Sequence, residues 1–118
     1  MLRWGSANLE SDKAVQYLRT KVMEPLESQI LSVLKNDLHA DADGDGCATM
    51  IAVDALAAVC AHFGETTRMK KRKLKQIQKK YLEVWSRTID ELDPVEGHKT
   101  ARQAHIQASF ARLIGHAK

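Results

Sequence analysis

The chain has 118 residues, 44% of them apolar and 28% charged, with a formal net charge of +3. At this length one domain is expected, and the apolar content excludes an intrinsically disordered chain. No uninterrupted apolar run approaches the ~20 residues of a membrane-spanning helix, and the opening, with Trp4, Gly5 and Asn8, lacks the basic start and apolar core of a signal peptide. A cytoplasmic protein without membrane contact is expected.

The small net charge conceals two opposed halves. Through Thr67, five basic residues stand against ten acidic ones, a net of −5; from Arg68 onward, thirteen basic residues stand against five acidic ones, a net of +8. Such polarity serves either internal pairing or the attraction of a charged partner.

The periodicity predicts an all-α fold, a compact bundle of about five helices in one domain, with an irregular N-terminal arm over residues 1–10. Ser11 suits the N-cap of the first helix and Asp12 its first turn. Ala14, Leu18 and Val22 then recur at four-residue spacing as a buried stripe. Pro25 breaks or kinks a continuing helix but fits the first turn of a new one. That second helix carries Leu26, Ile30, Val33, Leu34 and Leu38 on its apolar face.

A loop rich in Asp and Gly follows over residues 39–46, with Asp45 placed to cap the third helix. The third helix, from about Cys47 to a stop at Gly64, is apolar nearly all round and is expected at the centre of the bundle. Cys47 and Cys60 lie about 20 Å apart along it at ~1.5 Å per residue, too far for a disulfide, and read as two small buried side chains. A long fourth helix is expected over residues 67–92, with Leu74, Ile77, Tyr81, Trp85, Thr88 and Leu92 along one face. Asp93, Pro94 and Glu96 form a capping-box-like start for a fifth, which carries Ala101, Ala104, Ile106, Ala108, Phe110 and Leu113.

Two stretches hold chemistry. Asp41, Asp43 and Asp45, with Gly46, match positions one, three, five and six of an EF-hand calcium loop. Position twelve, which should be a bidentate Glu, is Ala52, so tight calcium binding is not expected. His39 and Cys47 extend the alternation toward a softer metal. The loop is read as a solvated turn, with weak divalent binding as the alternative; no resident metal and no cofactor are expected.

The second stretch is basic. Arg68, Lys70, Lys71, Arg72, Lys73, Lys75, Lys79 and Lys80 lie within thirteen residues, at the end of a helix where the dipole favours acids. Like charges at i, i+4 cost a few tenths of a kcal/mol more, so a counter-charge is expected: the acidic loop, an acidic protein partner, or nucleic acid phosphate. The run has neither interleaved aromatics for base stacking nor a helix-turn-helix register.

Little else points to chemistry. His39, His62, His98, His105 and His116 are scattered without zinc spacing, and no Gly-rich phosphate loop or Ser or Cys nucleophile with a base is present. Asp54, between Ile51, Val53, Ala55 and Leu56, is expected to be part-buried and to need a donor from the arm or from an Arg. No catalytic residues and no small-molecule substrate are expected.

Met1, Trp4-Gly5, Leu9-Glu10, Asp12, Ala14 and Tyr17 resemble, without a gap, the opening of the bacterial domain-of-unknown-function family numbered 4259. Leu2, Ala7, Leu9 and Ser11 depart from its usual Gly, Gly, Phe and Asn. The acidic loop and the alanine-rich stretch 48–58, with Asp54 in the place of a usual Glu, are also similar. The resemblance covers roughly the first sixty residues and implies a small helical protein, bringing no established activity and no catalytic residues.

Two function classes follow. One is a non-catalytic protein-binding module, most concretely an immunity- or antitoxin-like protein that masks a partner enzyme such as a toxin. Its contact residues would be the basic run Arg68–Lys80 together with Asp41, Asp43 and Asp45. The other is nucleic-acid or anion binding through the basic helix.

Overall fold

In the computed structural model, which describes residues 11–92 and 95–118, Ser11 starts the first helix: its hydroxyl accepts the Ala14 N–H at 3.1 Å. Helix α1 (Asp12–Tyr17) runs without a break through a π-helical segment (Leu18–Met23) into α2 (Glu24–Leu31). Pro25 therefore ends nothing. It sits in the first turn of α2, and the wider π turn before it accommodates the ring that would strike the carbonyl four residues back. The Glu24 N–H reaches the carbonyl of Arg19, five residues earlier. This lengthened spacing carries the buried stripe from Leu18 to Met23, 4% and 0% exposed, and leaves Val22 half-buried beside it.

Two 3₁₀ turns follow, Ser32–Leu34 and Asp37–His39, then α3 (Gly46–Phe63), α4 (Lys71–Glu91) and α5 (His98–Ile114). The fold is all-α, with no strand among the described residues. Among the described residues it holds four helical rods rather than the five expected, because the first two expected helices are one. The expected arm over residues 1–10 and the Asp93-Pro94 cap lie outside the described residues. Glu96 precedes α5, which starts at His98 after Gly97, so no capping box opens it.

The amphipathic pattern of α4 holds closely: Leu74, Ile77, Tyr81, Val84, Trp85 and Thr88 are all buried. Leu92 is not; it lies past the last turn of α4 and is 46% exposed. Leu38 likewise sits in the second 3₁₀ turn, 57% exposed, because α2 ends seven residues before it.

α3 is not enclosed. It packs between α2 and α5, burying Met50, Ala52, Val53, Leu56, Ala57 and Cys60, while Cys47, Ala48, Asp54 and Ala58 are exposed and Ile51 is 69% exposed. Over its 18 residues mean hydropathy is 1.6, enough by length and composition to cross a membrane, yet its buried side joins the core. Small alanines raise hydropathy without demanding burial, so an all-apolar reading overstates how many neighbours the helix has. The same holds for α5, where Ile106, Phe110 and Leu113 are buried but Ala101, Ala104 and Ala108 face out. Of the two cysteines only Cys60 is buried; Cys47 is exposed on the first turn of α3. Gly64 ends α3 in the left-handed region at φ 66°, as its position implies.

A basic groove at the start of the fourth helix

The acidic loop and the basic run do not neutralise each other. The loop closes on itself: Asp41 Oδ1 accepts the Asp43 N–H at 2.8 Å, and its carbonyl accepts the N–H groups of Gly44 and Gly46 at 3.1 and 3.2 Å. A Cβ at position 46 would stand 2.7 Å from that carbonyl oxygen, so only glycine fits there. The loop is tied to the bundle by Ala42 N–H to Thr88 Oγ1 at 2.9 Å and by Tyr81 hydroxyl to the Gly46 carbonyl at 2.9 Å. Tyr81 and Thr88 lie about 15 and 25 Å along α4 from Lys71 at ~1.5 Å per residue, so the loop meets the middle and far part of that helix.

Among the described residues, no ion pair joins Asp41, Asp43 or Asp45 to any Lys or Arg. Nor does any group of three or more His, Cys, Asp or Glu side chains converge as a metal site. Asp45 precedes α3 at the N-cap position, but its side chain makes no capping bond, a correction to its expected role.

The counter-charge that does appear is Asp37, a residue the sequence pattern did not single out. It pairs with Lys80 at 3.1 Å and Arg87 at 3.8 Å, at the lower end of the run. Arg68 stands 3.9 Å from Glu24, a loose and exposed contact worth little. Among the described residues Lys70, Lys71, Arg72, Lys73, Lys75 and Lys79 have no carboxylate partner, and all six are exposed. Arg72, Lys75 and Lys79, spaced three and four apart, form a file on the solvent side of α4.

Beside that file lies an open groove of about 540 Å³ between the end of α2 and the start of α4. Leu31 and Met69 give it an apolar lining, and Arg68, Lys70, Arg72 and Lys73 rim it with no acidic residue among them. Leu31 is 37% exposed; it falls next to, not on, the buried stripe of α2. An apolar residue off the stripe was the available sequence signal for this groove.

The segment that forms one wall is held from two sides. Glu27, only 5% exposed, accepts the Thr67 hydroxyl at 2.6 Å and the Arg68 N–H at 2.8 Å through the same oxygen. The C-terminal residues complete the clamp, with Thr67 N–H to the His116 carbonyl at 2.9 Å and Lys118 N–H to the Met69 carbonyl at 3.3 Å. Nearby, the Arg19 guanidinium bonds to the Glu65 carboxylate and to the Thr66 carbonyl, the latter at 2.7 Å. A glutamate in an α2 turn reads as a solvent residue from sequence; only the tertiary fold buries it.

Elsewhere, Asp54 is exposed, not part-buried as expected, and it pairs with Arg112 at 3.2 Å. Cys60 is a buried thiol: burial, then the Glu27 carboxylate, pushes its pKa up, which makes it inert. A small cavity of about 150 Å³ between the loop, α4 and α5 is lined by Cys47, Tyr81, Trp85, His98 and Arg102. Burial there pushes the Tyr81 hydroxyl up to about 12.

In comparisons with known proteins, no family model, no curated protein and no solved structure matches this chain.

Proposed function

We propose that this chain is a non-catalytic protein-binding module whose working surface is the basic groove and the cationic file beside it. The observation that carries this reading is the combination of an apolar lining with a rim of four cations, of which Lys70, Arg72 and Lys73 have no carboxylate partner among the described residues and Arg68 has only the loose contact with Glu24 at 3.9 Å. Clustered like charge at a helix start costs stability, through both the dipole and self-repulsion. A partner supplying the missing negative charge would recover that cost on binding.

In its most concrete form the module is an immunity- or antitoxin-like protein that covers an acidic surface of a partner enzyme, with charge speeding the encounter and apolar contact holding the complex. The N-terminal resemblance to family 4259 is the sole support for a bacterial setting. Asp41, Asp43 and Asp45 sit too far along α4 to share the groove, so any contact through them would belong to a second patch.

The test is to purify the tagged protein from its native host after nuclease treatment, wash at moderately high salt, and identify what remains. A stoichiometric protein surviving the wash supports the module. Nucleic acid found only in untreated material, and lost as salt rises, overturns it; phosphate binding through six or more cations falls ~10³-fold or more between 50 and 200 mM salt.

A further inference from the structure

Resting on that protein-binding reading, we infer that the groove takes an acidic, amphipathic segment of the partner, with one or two large apolar side chains seated on Leu31 and Met69 and flanking Asp or Glu side chains meeting Arg68, Lys70, Arg72 and Lys73. Two properties fix this chemistry. The rim holds four cations and no anion, all on the side formed by residues 68–73, so complementarity demands negative charge beside the insertion point. Between the cations the groove exposes Leu31 and the edge of the largely buried Met69, apolar surface that a sugar–phosphate backbone does not use but that an apolar side chain can cover.

Nucleic acid fits less well. Single strands bind through bases stacked on aromatic side chains, and no aromatic residue lines the groove. Tyr81, Trp85 and Phe110 are buried, 1%, 3% and 0% exposed. At about 540 Å³ the groove has the size of an ordinary ligand pocket, and it is open to solvent, so a segment of a larger partner can reach it. Because Glu27 and the C-terminal residues clamp positions 67–69, that wall stands before any ligand arrives, so little ordering opposes docking.

The experiment measures fluorescence anisotropy of a short labelled peptide, with Leu and Phe one helical turn apart between runs of Glu, titrated with the full chain. A second peptide replaces the Leu and Phe with Ala at unchanged charge. The first is expected to bind about tenfold or more tightly than the second, which is what seating one large apolar side chain is worth. Leu31→Glu and the pair Arg72→Ala, Lys73→Ala are each expected to weaken the first peptide by about tenfold while leaving the melting temperature close to wild type, since all three side chains are exposed. Equal binding of the two peptides overturns the inference, as does tighter binding of oligothymidylate or of vesicles made from equal parts phosphatidylcholine and phosphatidylserine. Failure of the inference and failure of the module are separable. If a partner is still recovered from the host with the Leu31→Glu chain, the groove is not the contact and the module stands.

Discussion

Glu27 shows how much one side chain can decide. It accepts two hydrogen bonds from the segment ahead of α4 while almost wholly buried, with no cation bonded to it among the described residues. Replacing it with Ala leaves the Thr67 hydroxyl and the Arg68 N–H without an acceptor, at a cost of about 1–3 kcal/mol. Glu27→Gln keeps an acceptor oxygen and is expected to lose less. Urea unfolding of the two variants checks the order; equal losses would mean that the carboxylate's charge, not its acceptor geometry, holds the wall. Tyr81 makes a second prediction at this scale. Its hydroxyl, hydrogen-bonded to Gly46 and buried, ionises near 12 instead of 10. Between those values the unfolded chain has lost a proton that the folded chain retains, so stability is full below pH 10 and falls as pH rises toward 12. The loss amounts to about 2–3 kcal/mol. Tyr81→Phe, measured by thermal melts across that range, is expected to flatten this decline even if it lowers stability at neutral pH.

At the scale of the element, α4 carries its conflict in its first turn. Lys71, Arg72 and Lys73 occupy the end where the helix dipole is positive, and Lys70 ahead of them makes no side-chain capping bond. Lys71 does not line the groove. Lys71→Glu is therefore expected to stabilise the folded chain by about 0.3–1 kcal/mol, read as a higher melting temperature, while leaving peptide binding within about twofold. Arg72→Glu is expected to give a similar stability gain and to abolish binding. A gain in stability paired with a loss of binding is the signature of residues kept for a partner. If neither substitution stabilises, the basic turn is already compensated within the folded chain.

For the whole molecule, the four rods leave α3 with one buried side and one open one. Substitutions along it should separate accordingly. Leu56→Ala, at a position 0% exposed, is expected to cost about 2–5 kcal/mol. Ile51→Lys, at a position 69% exposed, is expected to fall within about 0.5 kcal/mol of wild type by chemical denaturation. A large loss at Ile51 would mean that this face is covered in solution.

The amino-acid sequence by itself determined the all-α class, the cap at Ser11, the stop at Gly64 and the buried face of α4. Each depends on periodicity or on a local backbone preference that neighbours reinforce. It also located the basic run, since charge density needs no fold to be read. Tertiary structure decided what depends on neighbours. Whether Pro25 divides a helix depends on the π turn before it, and whether alanines are buried depends on how many rods surround them. Whether Asp37 or the Asp41–Asp45 loop meets the basic helix is a matter of where a chain reversal places each carboxylate along α4. The groove arises in the same way: Leu31 and Met69 are 38 positions apart, and only the clamp of Glu27 and the C-terminal residues on positions 67–69 sets them side by side.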